Sequence, residues 1–196
     1  MSLRSLHLLG SPVLRQRSAE VGAVDEGVLR LVDDMFETMD AARGVGLAAN
    51  QVDLPYRVFI ANPEGDPKAK DAECVFINPV LLKGAGQHER EEGCLSIPGV
   101  YGNVTRKQSV SIQAYNLAGE EISGEIDGLL ARVFQHELDH LDGRLFIDRI
   151  TPTQLADISG ELEEFEIDFN SKRAVGEMPS DEAVVARIEE LERLRT

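Results

Sequence analysis

Residues 128–143 read GLLARVFQHELDHLDG, and the way this stretch packs decides the fold. Positions i and i+4 of an α-helix share one face, with Cβ atoms about 5–6 Å apart. His136 and His140 can therefore grip one ion while Glu137 stands beside it. Leu129, Leu130, Val133, Phe134, Leu138 and Leu141 recur at helical spacing and bury much of the same segment. Two histidines falling four apart by chance on a solvated helix would not need that apolar frame. Nor would chance place two of the chain's four histidines in one motif. A buried imidazole pair needs a partner, and a metal ion satisfies both rings at once.

Two imidazoles do not complete a catalytic site, which usually has three protein ligands and one open position. A third His six residues after the second is excluded because Phe146 stands there, although Gly143 fits that arrangement. Two sources remain. Glu161, Glu163 and Glu164 lie about twenty residues or more downstream, at a separation a zinc metallopeptidase uses. Cys94 lies upstream in EEGCLSIPG (91–99), where Gly93 lets the backbone approach an ion closely and a short apolar strand is expected to follow.

Composition narrows the class. A chain of 196 residues with 42% hydrophobic residues suits one domain with a sizeable core. No apolar run reaches the ~18 residues of a membrane span. The start MSLRSLHLLGSPVLR lacks the long apolar region and small-residue cleavage site of a signal peptide, so a cytoplasmic location is expected. The net charge of −15 argues against a nucleic-acid surface. The acidic runs ELEEFEID (161–168) and DEAVVARIEELER (181–193) read as solvated faces. Of the two cysteines, Cys74 sits in a probable buried strand and reads as a small core residue rather than a disulfide partner of Cys94.

A first helix is expected over 25–41, stopped at Arg43 and Gly44, followed by a loop at GVGLAANQ (44–51). Strands are expected at 57–62 and 74–82, with a hairpin of 109–116 and 121–128 whose Val110, Ile112 and Ala114 share one face. The metal helix spans 129–141 and stops at Gly143. Another helix starts at Thr151-Pro152. A last helix from Ser180 carries a stripe of Val184, Val185, Ile188, Leu191 and Leu194, suited to docking on the domain or on a partner subunit. Helices and strands without regular alternation indicate an α+β fold, with antiparallel strands packed around a central metal-binding helix.

GVGLAANQ (44–51), EGCLS (92–96) and QHELDH (135–140) occur in the order and at the separations of three motifs that together resemble those of the peptide deformylases. The resemblance extends from HLLGSPVLRQRSAEV (7–21) to GRLFIDRI (143–150), about three-quarters of the chain, and nothing from Thr151 onward matches a motif. It implies a catalytic domain over 1–150 with a helical extension over 151–196. It also implies Cys94, His136 and His140 as metal ligands, with Fe(II) as the working ion and Zn(II) or Ni(II) as other occupants. The substrates implied are N-formylmethionyl peptides and nascent chains, which release formate. Glu137 would take a proton from water and hand it to the departing amine. Gln51 and the backbone N–H of Leu95 would donate to the developing oxyanion. The backbone of Val45 and Gly46 would pair with the peptide and Gly93 would contact it, while Val45, Leu129 and Val133 would line the methionine pocket. Two positions depart from the family pattern. Arg132 stands where an aliphatic residue is common and is expected to narrow the pocket, bind peptide carbonyls or stay a solvated stem. Tyr101 stands where some members carry Arg. A metallopeptidase with a downstream Glu ligand and a non-catalytic protein braced by a four-ligand metal remain as alternatives.

Overall fold

Asp25 opens the first helix by accepting a hydrogen bond from Val28 N at 2.9 Å, the contact a short acidic side chain supplies at an N-cap. The computed structural model describes residues 3–193, so Leu194 of the expected last stripe lies outside the described residues. Helix α1 (Glu26–Ala41) buries Val28, Leu31, Val32, Met35 and Met39 along one stripe. Its stop comes one residue before the expected glycine. Arg43 takes the left-handed conformation at φ +57, and Gly44 N–H donates to the Met39 carbonyl.

GVGLAANQ is not a plain loop. It forms strand β1 (Gly46–Ala48) and then a 3-10 turn over Ala49–Val52. Strands β2 (Val58–Ala61) and β3 (Cys74–Ala85) follow as expected, the latter three residues longer at its end. A hairpin comes next, β4 (His88–Cys94) with β5 (Ile97–Arg106), of which only the short apolar strand after Cys94 was expected. The β4 sequence HEREEGC has no apolar alternation, because its long charged side chains are solvated or paired and β5 supplies the apolar side with Ile97, Val100 and Val104. Strands β6 (Ser109–Tyr115) and β7 (Glu121–Asp127) form the expected hairpin. The Asn116 side-chain carbonyl closes its turn by accepting from Ala118 N and Glu120 N.

Five strands make one antiparallel sheet in the order β1-β2-β3-β6-β7, and β4-β5 stands apart as a two-stranded ribbon. Helix α2 (Gly128–Leu141) packs on the large sheet, touching β1, β2, β3, β6 and β7. Phe134 is the wedge. Its ring meets Phe59 of β2 and Phe76 of β3 edge-on, both at 5.2 Å between centroids. The C-terminal carbonyls of α2 are satisfied from outside the helix. Asn50 Nδ2 donates to the His140 carbonyl at 2.6 Å, and Ser18 N to that of Leu141 at 2.8 Å. Gly143, at φ +73, passes so close to the backbone of Arg15 that a Cβ there would sit 2.7 Å from its carbonyl oxygen.

Three helices complete the chain: α3 (Pro152–Asp157), α4 (Ser159–Ala174) and α5 (Asp181–Arg193). Thr151 caps α3 through Gln154 N, with Pro152 in the first turn. Helix α4 is charged almost all round and gives no periodic signal. Its buried Phe169 lies over Gly10, where a Cβ would come within 2.7 Å of the ring. On α5, Val184 and Ile188 join the cluster of Leu9, Val13, Leu14 and Val100, and Leu191 joins the α1 cluster. Its stripe is thus spent on this chain's own core. Phe134→Ala removes the wedge between α2 and the sheet and is expected to destabilise the fold by about 3–5 kcal/mol, read as a lowered urea midpoint. A midpoint equal to the native one would show that the aromatic cluster does not hold the helix on the sheet.

Candidate metal centre

Two elements meet at the site. The tight bend between β4 and β5 presents Cys94, and helix α2 presents His136 and His140 one turn apart. The Cys94 sulfur and the two ring nitrogens all lie within 4.8 Å of one another, with Sγ 3.1 Å from His140 Nε2. Among the described residues no further His, Cys, Asp or Glu joins this group. Glu161, Glu163 and Glu164 are exposed on α4 and take no part, which removes the observation the metallopeptidase alternative needs. The absence of a fourth side chain in the group likewise does not fit a closed structural site.

Electrostatics favour a cation between these donors. Burial opposes a charge on His136, yet its hydrogen bonds to Cys94 and Glu92 outweigh that cost and raise its pKa to about 10. The surroundings thus demand positive charge, which a divalent ion supplies while leaving the imidazole neutral to bind it. His140 is held well below its usual pKa, by burial first and then by its positive neighbours, so it stays neutral as a ligand must. A thiolate with two imidazoles is a donor set for a borderline or soft transition metal, and the site fits a single such ion.

Glu137 lies beside this group and is 4% exposed. Burial pushes its carboxyl up to about 7, and its Oε2 has no hydrogen-bond partner. Strand β1 passes hard against it: a Cβ on Gly46 would sit 2.5 Å from Glu137 Oε1 and 2.6 Å from Val133. Only a glycine lets the strand approach the carboxylate this closely. Gln51 is buried and held at both ends of its amide. Its Oε1 accepts from Ala48 N at 2.8 Å, while Nε2 donates to Ser96 Oγ at 3.1 Å and faces Cys94 Sγ at 3.7 Å.

A cavity of about 730 Å³ opens onto these groups, and Val45, Gly46, Gly93, Leu95, Leu129 and Val133 all line it. The Val45 carbonyl, expected to pair with a peptide, instead accepts from Asn62 N just beyond the β1–β2 ladder. By the alternation of an antiparallel pair, Gly46 is the residue that turns its N–H and C=O to the open edge of the sheet. Tyr101 lays its ring over Gly93, its register partner, where a Cβ would fall 2.7 Å from the ring edge.

Behind the ligands lies a set of buried charges that the spacing of the sequence did not reveal. Glu92 Oε2 meets His136 Nδ1 at 3.1 Å, the outer partner that orients a ligating imidazole. Arg106 grips the same carboxylate with Nε at 2.8 Å and Nη2 at 2.9 Å, and its Nη1 reaches Asp139 at 2.7 Å. Arg132 is neither a solvated stem nor a free donor for peptide carbonyls: it is 9% exposed and bonded to Glu92. The one available signal was Glu92, two residues before a candidate ligand. Arg106 and Arg132 carry none, because nothing local marks a charge whose partner is on another element.

A cysteine sulfur, two imidazoles of a His-Glu-x-x-His helix and an adjacent buried Glu137 side chain, set in a mixed fold of helices and antiparallel strands, define a metal-dependent hydrolase. Comparison with known proteins narrows this. The polypeptide deformylase family pattern matches residues 3–156. A peptide deformylase of Rhodopirellula baltica is 46% identical over 177 residues, covering 90% of this chain and 87% of that protein. The crystal structure of a plant peptide deformylase superposes with a TM-score of 0.85 at 39% identity, over 92% of this chain and 96% of that one. A peptide deformylase of Plasmodium falciparum gives 0.82 at 35% identity, over 85% of this chain and 97% of that one. The chain belongs to the peptide deformylase family.

Cys94→Ser is expected to lose the ion on desalting, whereas Glu161→Ala, Glu163→Ala and Glu164→Ala keep it, as measured by elemental analysis of each purified variant. The reverse pattern would move the site to α4.

Proposed function

We propose that this chain removes the N-formyl group from the initiator methionine of newly made polypeptides, releasing formate. The observation that carries this reading is the convergence of Cys94, His136 and His140, the first two of which line an apolar cavity together with the buried Glu137 carboxylate. Those three residues would hold one divalent ion, Fe(II) in function, with Zn(II) or Ni(II) as other occupants. When bound, the ion supplies Lewis acidity and makes water acidic enough to lose a proton near neutral pH.

The chain's own groups do the rest. Water adds to the formyl carbon, the C–N bond breaks, and formate and a free methionine amine result. Glu137 takes the proton lost by water and returns it to the departing nitrogen, a role suited to a carboxyl with an unpartnered oxygen. Gln51 aims Nε2 toward the cysteine side of the site, and with the Leu95 N–H it would steady the negative oxygen. Val45, Leu129 and Val133 would receive the methionine side chain. Gly46 would pair its backbone with the peptide along the open sheet edge, and Gly93 would face it from the other side.

In the same reading, residues 1–150 form the catalytic unit, with the antiparallel strands organised around the His-Glu-x-x-His helix, and 151–196 form a helical extension packed on it. The acidic surface supports an enzyme that binds neither nucleic acid nor membrane. No helix among the described residues is long and apolar enough to cross a membrane. A cytoplasmic location is proposed with it.

A formate-release assay on a formyl-methionyl tripeptide tests the assignment. Glu137→Ala should lower kcat by about 10²–10⁴ with metal content unchanged. Gln51→Ala should lower it by about 10²–10³. Full activity in Glu137→Ala would remove the carboxylate from the chemistry. The iron assignment predicts loss of activity on aerobic incubation, and an activity indifferent to oxygen would point to another ion.

A further inference from the structure

We propose that Arg132 is a positioning residue that ties the helix carrying His136 and His140 to the hairpin carrying Cys94, and so sets the affinity of the site for its ion. The inference rests on the metal-site reading above. Arg132 lies one turn before His136 on α2, and its guanidinium reaches three acceptors on both strands of the hairpin. These are Glu92 Oε1 on β4, the His88 carbonyl on β4 at 2.6 Å, and the Val104 carbonyl on β5 at 3.1 Å. Glu92 in turn meets His136 through its other oxygen. Two side chains one turn apart on the helix therefore converge on one carboxylate of the hairpin.

The division of labour on that carboxylate is specific. Arg106 touches both oxygens, Arg132 adds to Oε1, and Oε2 is left to face His136. Arg106 also links hairpin to helix, from the hairpin side, through Asp139. Arg132 is the residue that makes the connection from the helix, next to the ligand. Only a planar fork meets a carboxylate and two backbone carbonyls together; a lysine ammonium is a point charge that cannot span them. Removing the fork leaves the buried Val104 carbonyl and the part-buried His88 carbonyl without a side-chain partner and lets the carboxylate turn. Arg132 also lines the cavity, beside Val133.

The test compares the native chain with Arg132→Met, which keeps a straight apolar stem, and Arg132→Lys, which keeps the charge. Zinc(II) affinity is measured by competition with a chromophoric chelator, and formyl-methionyl peptide hydrolysis is measured on fully loaded protein. Arg132→Met should bind zinc(II) about tenfold more weakly, the low end of the about 10–100-fold that losing a ligand's own outer partner costs, because Arg106 still holds Glu92. Arg132→Lys should show a smaller loss, and KM should stay unchanged in both. Native affinity in Arg132→Met, with or without a raised KM, overturns the proposal and leaves the residue as a pocket wall. If Arg132→Met shows no cooperative thermal transition, the decision passes to Arg132→Lys, where native affinity overturns it. Failure of the metal-site reading looks different: the native chain itself would not take up zinc(II), or Cys94→Ser would bind it equally well.

Discussion

Helix α2 has to satisfy two environments at once, and the rest of the molecule is arranged around that constraint. One side is apolar and sits on the five-stranded sheet through Phe134, Ala131 and Leu141. The other carries two imidazoles and a carboxylate that cannot be buried without partners. Hydrophobic packing places the helix but says nothing about the angle at which the imidazoles emerge. For His136 that angle is set by a polar contact with Glu92, while Asn50 holds the backbone carbonyl of His140.

The second half of the site comes from a ribbon with little core of its own. Strands β4 and β5 pair with each other and not with the large sheet, so their position over α2 depends on Ile97, Val100 and Val104 below and on the buried charges above. Glu92 and Asp139 share Arg106, and Asp139 also binds Arg149. Buried charges in such an arrangement are costly individually and hold only when each has its partners. They give the site its geometry more than they give the fold its stability. Glycine does complementary work at two places, where Gly46 and Gly93 let backbone lie against Glu137 and Tyr101 with no room for a side chain.

The terminal segments close the assembly. Leu9 N donates to the Ser96 carbonyl and His7 N to that of Gln51, so the N-terminal stretch braces both loops that flank the cysteine. Helix α5 then covers Leu9 and Val13 with Val184 and Ile188. The C-terminal helices are thereby part of what keeps the cysteine side of the site in place, although none of their described residues lines the cavity.

Local pattern was enough for much of this. The helical spacing in 128–143, the alternation in 109–127 and the caps at Asp25 and Thr151 are short-range signals, and each was legible because neighbours in sequence are neighbours in space. Cys94, His136, His140 and Glu137 could be nominated because their residue types bind metals or move protons wherever they occur. Strand β4, strand β1 and helix α4 were not legible, since charged or glycine-rich segments take their structure from partners elsewhere in the chain. The same holds for Arg106 and Arg132. An arginine looks solvated in any sequence, and only the folded chain brings it to a buried carboxylate 14 or 40 residues away. Which residues carry the chemistry was written locally; how they are held together is a matter of long-range contact, and that only the tertiary structure decided.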